Sequence, residues 1–388
     1  MTAHGNDHGG AVTIIGSGLA GIGLARELRK RDPALALRIL CRDAADFYSK
    51  PTLSNALARG KSPEQLVLTP RGRLAEELCA EILPHTDVSA IDATGQRLAT
   101  SAGPLAYERL VLATGAGQPR LAIPGAVADE VLTVNALDDY ARMRERLQHA
   151  RTVVLIGAGL IGCEFANDLR LGGFQVTVLD LAAQPLSRLL PPACGAWLRE
   201  RLEAAGVVFR LGRGAARLEG EAGQRQLIDS TGEAHPADLV LSMTGLQPDL
   251  TLARAAGLRT ARGILVDRQL RTSAENIYAL GDGVETAGLH LPYVAPIALQ
   301  AAALAATLTG TPTPLSYPAL PVMVKTPACP AVVCPPPSGV NGEWVEELAA
   351  ESAKALFMAA GELRGFALLG KAVTERAALC ARLPALLA

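Results

Sequence analysis

The chain has 388 residues, two to three times a common domain length, so a single small module is excluded and two or three domains are expected. Apolar residues make up 49% and charged residues 19%, a balance that excludes a disordered chain. With 37 Lys and Arg against 38 Asp and Glu, the formal charge is -1, and the global positive field of a nucleic-acid binder is absent.

Met1–Gly10 is polar and Gly/His-rich, with neither an apolar core nor a cleavage pattern, and reads as a loose tail. Ala11–Ile15 is a β-branched run leading into Gly16-Ser17-Gly18-Leu19-Ala20-Gly21, then a helical pattern over Ile22–Arg31 and an apolar stretch over Leu35–Leu40. This is the order of a βαβ unit. The three glycines suit a tight turn, close approach of backbone to a pyrophosphate, and close helix packing, with the N–H groups of Ser17 to Ala20 facing the phosphates. Asp43 follows the second strand at about 20 residues past Gly21, where a carboxylate accepts the adenosine-ribose hydroxyls. The plainer alternative for Asp43 is a turn residue.

Tyr107–Ala113 reads as a strand ending in Thr114-Gly115, and Pro119–Gly125 as a linker where the chain changes domain. The βαβ order then returns at Thr152–Ile156, Gly157-Ala158-Gly159-Leu160-Ile161-Gly162, a helix through Leu171, and the strand Gln175–Leu179. Asp180 ends this unit. An acid there repels a 2'-phosphate, and Leu181, Ala182 and Ala183 offer no Arg to cradle one, so NADH is favoured over NADPH unless Arg188 bends back. Asp238–Met243 is a matching strand ending in Thr244-Gly245, and Gln247-Pro248 marks a return to the first domain. The Pro-rich Thr311–Pro321 precedes alternating apolar runs at Val322–Lys325, Ala331–Cys334, Trp344–Glu346, Ala355–Ala359 and Gly365–Leu369, which suggest a small terminal domain.

Thr272-Ser273-Ala274-Glu275-Asn276-Ile277-Tyr278-Ala279-Leu280-Gly281-Asp282 resembles the second FAD fingerprint of the pyridine-nucleotide:flavin oxidoreductases at every defined position. The resemblance runs from Val12 to the chain end and is least specific after Pro335. It implies an α/β fold of two Rossmann-like domains with parallel sheets, the NAD domain (118–245) inserted in the FAD domain (1–117 and 246–318), and a small α+β C-terminal domain (319–388). It implies that Asp282 accepts hydrogen bonds from flavin ribityl and phosphate-side hydroxyls, an N-cap role being the alternative. By the same resemblance Thr114-Gly115 lies beside FAD, Arg120 touches the flavin phosphate, the Val88 backbone receives adenine, and Gly245 belongs to the cofactor-binding residues. Val294, near the start of a helix, faces the reduced flavin with a helix dipole.

The segment Tyr48-Ser49-Lys50-Pro51-Thr52-Leu53-Ser54 contains no Cys, where disulfide reductases, peroxidases and oxidases of this family carry a redox thiol. Electrons therefore leave the flavin for an external acceptor. Ser49-Lys50-Pro51, Val324-Lys325-Thr326-Pro327-Ala328-Cys329-Pro330 and the stretch Gly157–Asp168 resemble the rubredoxin-reductase branch. This implies an NADH-dependent, FAD-containing enzyme that passes electrons singly to rubredoxin, with Lys50 at the flavin paired to Glu164, and Lys325 reaching the flavin from the last domain. The alternatives are a structural ion pair for Lys50–Glu164 and an exposed strand lysine for Lys325. An acceptor of [2Fe-2S] ferredoxin or flavorubredoxin type stays open, as does a flavin-bound redox sensor or scaffold.

Seven Cys, an odd number, do not form a disulfide framework, and Cys329 and Cys334 read as two buried thiols. Six His show no ligand spacing, so no metal is expected. No apolar stretch reaches the length of a membrane span, a cytoplasmic location fits, and the short last domain lacks an obvious dimer helix, which favours a monomer.

Overall fold

The computed structural model describes residues 11–125, 130–221 and 224–388 of the chain. Its first large sheet is parallel throughout and runs, edge to edge, Ile277–Ala279, Arg109–Leu112, Val12–Ile15, Leu37–Leu40 and Ala80–Leu83. Every residue of Val12–Ile15 is buried, Thr13 included, as a β-branched strand in a sheet covered on both faces should be. Ile15 pairs with both Leu40 and Leu112, so the turns that follow these three strands gather at one edge of the sheet. The helix Leu19–Arg31 leaves that edge, three residues earlier than its apolar pattern suggested. It lies against the Ala-rich helix Val294–Leu308, where small residues allow close approach: a Cβ on Gly23 would stand 3.9 Å from that of Ala301.

The second parallel sheet repeats the plan in the order Val131–Leu132, Leu239–Ser242, Thr152–Ile156, Gln175–Asp180 and Val207–Leu211. The chain enters and leaves this unit through two short strands, Ala116–Gly117 and Gln247–Pro248, that pair antiparallel with each other. The Pro-containing return segment thus also forms a strand, at an edge where proline is tolerated. Each parallel sheet also carries a three-stranded antiparallel sheet: Val88–Asp92, Arg97–Thr100 and Gly103–Ala106 in the first unit, Ala215–Glu219, Gln226–Asp229 and Ala234–Pro236 in the second. The internal duplication therefore reaches well beyond the glycine motifs.

The last unit is an antiparallel sheet in the order Val322–Val324, Ala331–Cys334, Glu362–Gly370, Ser352–Ala359 and Glu343–Leu348, followed by a short helix Arg376–Cys380. One face, through Ala353, Ala355, Ala367 and Leu369, shares an apolar core with Trp197 and Leu198 of the second unit. At its edge Trp197 Nε1 donates to Ala349 O at 3.1 Å, and the backbone N–H of Cys194 to Glu346 Oε2 at 2.8 Å. Cys329 and Cys334 are free and buried, and burial pushes both thiols up to about 11. Among the described residues no helix is long and apolar enough to cross a membrane.

Candidate active site

The first cradle is the turn between Val12–Ile15 and the helix Leu19–Arg31. Gly16 has φ +117, and a Cβ there would stand 2.3 Å from Ala113 O, so the turn requires glycine. A Cβ on Gly21 would lie 1.9 Å from Gly16 O, which makes Gly21 the helix-packing residue. Gly18 is different: nothing lies within 4 Å of its Cβ position, so the space beside it is open to a ligand. The helix starting at Leu19 and Ala20 carries no side-chain cap and no acid in its first turn, which leaves its terminal N–H groups for an anion. Asp43 stands beside this loop, accepting from Ser17 Oγ at 3.2 Å and from Ala45 N at 3.0 Å.

The second cradle repeats the geometry. Gly157 has φ +115 with Met243 O 2.4 Å from its Cβ position, a Cβ on Gly162 would lie 1.9 Å from Gly157 O, and Gly159 faces open space. The helix Leu160–Leu171 again starts without a side-chain cap, with Leu160 and Ile161 in its first turn. Asp180 accepts from Ala158 N at 2.5 Å and from Ala182 N at 2.7 Å. Gly245 is exposed just past the strand Leu239–Ser242, with φ +107.

Asp282 closes the first cradle. It follows the strand Ile277–Ala279, and the N–H of Gly281 beside it donates to Gln300 Oε1 at 2.6 Å. Its Oδ1 is buried and has no hydrogen-bond partner among the described residues, an arrangement that costs free energy unless a donor arrives. Burial pushes this carboxyl above its usual value, against the smaller opposing pull of Lys50 and His290. An orphaned acceptor beside an open glycine loop fits the hydroxyls of a dinucleotide. Thr114 and Gly115 lie against the same turn, a Cβ on Gly283 reaching Gly115 O at 3.2 Å. The helix Val294–Leu308 starts at Val294, two residues before Pro296, and its first turn carries neither cap nor acid. Val88 begins a strand of the small antiparallel sheet, and Arg120 is exposed in the linker.

The lysines depart from expectation. Glu164 is buried, and its partner is Lys325, at 2.9 Å between Nζ and Oε2; Lys50 is not its partner. Ser54 Oγ donates to Glu164 Oε2 at 2.5 Å, the backbone N–H of Lys325 donates to Oε1 at 2.8 Å, and Lys325 Nζ also donates to Pro51 O. The short helical turn Lys50–Asn55 turns Ser54 toward Glu164 and leaves Lys50 on another side. Lys50 Nζ instead donates to Asn135 Oδ1 at 3.2 Å, and burial draws its ammonium below the usual lysine value, partly offset by Asp282, Asp139 and Asp43.

Four groups escaped the sequence reading. Asp168, one turn after Glu164, accepts from Leu57 N at 2.9 Å and Ala58 N at 3.0 Å, and Asn167 Oδ1 accepts from Ala328 N at 3.0 Å. With Ser54 they tie the lysine-bearing turn and the last unit to one helix face. A usable signal existed: three polar residues at 164, 167 and 168 occupy a helix stretch buried from Gly162 to Leu169. Asn135 had none. Arg213 donates its backbone N–H to Asp180 O at 3.0 Å, while its side chain is paired with Asp229 at 3.0 Å and with Glu233. Asp229 and His235, 3.0 Å apart, form with Glu233 a cluster of the kind that can hold a metal, which His spacing had not suggested. Cys41 beside the first cradle and Cys163 in the helix of the second are both buried, and burial raises both thiols, that of Cys41 to about 11.

Residues 10–302 match the pyridine nucleotide-disulphide oxidoreductase family, and residues 314–383 match a rubredoxin binding C-terminal domain. A rubredoxin-NAD(+) reductase of Alcanivorax borkumensis is 42% identical over 97% of this chain and 99% of its own length. One of Acinetobacter baylyi is 45% identical over 92% of this chain and 94% of its own. A crystal structure of a ferredoxin reductase from Rhodopseudomonas palustris superposes with a TM-score of 0.88 at 29% identity, covering 97% of this chain and 96% of that one. With both glycine cradles, the closing acid and the match over most of its length, the chain belongs to the pyridine nucleotide-disulphide oxidoreductase family.

Proposed function

We propose that this chain is an NADH-dependent reductase that binds FAD in the first cradle and delivers electrons to rubredoxin. FAD, when bound, accepts a hydride from the nicotinamide and releases electrons one at a time. The protein contributes binding, orientation and charge. Gly18 and the N–H groups of the Leu19 helix would receive the flavin pyrophosphate, Asp43 the adenosine ribose, and Asp282 Oδ1 a ribityl or phosphate-side hydroxyl. Gly159 and the Leu160 helix would receive the NADH pyrophosphate. We assign 1–117 with 246–318 to the FAD unit, 118–245 to the NAD unit and 319–388 to the acceptor-binding unit.

The observation that carries the reading is the composition of the turn between the cradles. Lys50 and Lys325 stand there with Glu164 and Ser54, and the segment holds no thiol to receive electrons. Fixed cationic groups at such a place stabilise negative charge as it develops. The preference for NADH rests on Asp180 and on Arg213. Arg213, whose backbone N–H reaches Asp180 O, has its guanidinium committed to Asp229 and Glu233 and does not offer it to a 2'-phosphate.

The test is NADH turnover with rubredoxin, a [2Fe-2S] ferredoxin and oxygen compared side by side. Rubredoxin should be reduced fastest. Faster ferredoxin reduction would overturn the acceptor assignment, and oxygen consumption matching the rubredoxin rate would make the chain an oxidase. Flavin reduction too slow for any turnover would favour a sensor or scaffold.

A further inference from the structure

We propose that Asn135 is the positioning residue for Lys50: its side-chain amide, oriented from the far side by the carbonyl of Ala116, holds the lysine in place with a neutral acceptor instead of a carboxylate. The inference rests on the reading of Lys50 as a flavin-side residue.

The geometry leaves Asn135 little choice. Its Nδ2 donates to Ala116 O at 3.0 Å while its Oδ1 accepts from Lys50 Nζ at 3.2 Å. A carbonyl cannot donate and an ammonium cannot accept, so only one orientation of the amide satisfies both neighbours. The residue itself is anchored: Asp139 Oδ2 accepts from the backbone N–H of Asn135 and of Ala136, both at 3.0 Å, at the start of the helix Leu137–Leu147. The same helix start reaches the lysine-bearing segment a second time, the N–H of Leu137 donating to Tyr48 Oη at 3.1 Å. Ala116, in turn, lies on the crossover strand that pairs with Gln247–Pro248. Asn135 therefore joins the lysine to the hinge-like pair of strands through which the chain passes between its two dinucleotide units.

The chemistry differs from that of the neighbouring pair. Lys325 contacts the Glu164 carboxylate directly, in a charge-assisted pair. Lys50 has no carboxylate in contact among the described residues. The charged groups facing it are Asp282 from the second-fingerprint strand, Asp139 from the Leu137 helix and Asp43 from the end of the second strand. A neutral acceptor fixes the position of an amine while stabilising its charge less than a carboxylate would. The two lysines are thereby separated in role, one paired with a carboxylate and the other held by a neutral amide.

A titration of the chain with 13C-labelled lysine, followed by NMR with and without FAD, tests this directly. The chain has six lysines, and Lys50→Met assigns the resonance. Asn135→Asp should raise the Lys50 midpoint by about one pH unit, tenfold in proton affinity, and Asn135→Ala should lower it. In flavin reduction by NADH, Asn135→Asp should displace the pH profile in the same direction and should have no further effect in a Lys50→Met background. A Lys50 midpoint unmoved in both folded variants, as judged by unchanged melting temperatures, would overturn the assignment. Midpoints that move while Lys50→Met reduces flavin at the wild-type rate would uphold the contact and overturn the flavin-side reading beneath it.

Discussion

The two glycine cradles have nearly the same backbone and are finished differently. In the first, the residue after the leading glycine is Ser17, whose hydroxyl reaches Asp43; in the second it is Ala158, whose backbone N–H is held by Asp180. The larger contrast lies across the sheet. Beyond the first cradle stands Asp282 with an unpaired buried oxygen, three residues past the edge strand Ile277–Ala279, whereas the corresponding edge strand of the second unit, Val131–Leu132, is followed at the same distance by the neutral Asn135. One cradle thus retains a strong acceptor that only a ligand satisfies, which suits a resident cofactor. The other has a neutral amide at the matching place, which suits a nucleotide that binds and leaves.

The largest expected effect comes from closing either cradle by itself. Gly162→Val should cut NADH-driven reduction by roughly a hundredfold, since a 1 Å misplacement of reacting groups costs about that much, and should leave FAD absorbance in place. Gly21→Val should do the reverse and lose the flavin; equal damage to both ligands in either variant would break the distinction. Next, Asp282→Asn should weaken FAD binding about 10- to 100-fold, the range for a charge-assisted hydrogen bond at 1.4 kcal/mol per decade, by fluorescence titration of the apo chain. Its melting temperature without FAD should not fall.

The same carboxyl predicts a pH dependence. Its folded value is raised by burial, so the folded apo state binds more protons than the unfolded chain, and this group's contribution to stability declines as pH rises through the interval above its usual 3.8. FAD affinity should change in the opposite sense over that interval, and Asp282→Asn should remove the difference. Asp180→Ala should then raise the NADPH-to-NADH ratio of kcat/KM about tenfold without altering the flavin. Ser17→Ala should be the mildest, weakening FAD about 2- to 10-fold for one neutral hydrogen bond. No change at all would mean that the Ser17–Asp43 contact contributes nothing to the cradle.

What was legible in the sequence was local. Gly16, Gly18 and Gly21, their counterparts at 157, 159 and 162, and Asp43, Asp180 and Asp282 follow from turns and strand ends a few residues wide, and the structure brings each set together. The partners of the lysines were not legible, because Lys325 meets Glu164 across 161 residues and Lys50 meets Asn135 across 85. Pairing Lys50 with Glu164 used family architecture, and it failed because Ser54, on the same helical turn, takes the place beside the acid. The antiparallel sheets were missed for another reason: their strands, such as Arg97–Thr100, alternate burial over only four residues and bury little apolar surface.

The helix Leu160–Leu171 carries Glu164, Asn167 and Asp168, which bind the Lys50–Asn55 turn, residues 57 and 58, and the Lys325–Ala328 strap. All three are buried, so detaching any one unit would leave an ionised or polar group without a partner in an apolar interior. Piecewise opening is therefore penalised. The chain should melt in one cooperative transition and, under limited proteolysis, release no stable C-terminal fragment near residue 319, although its architecture can be divided on paper into three.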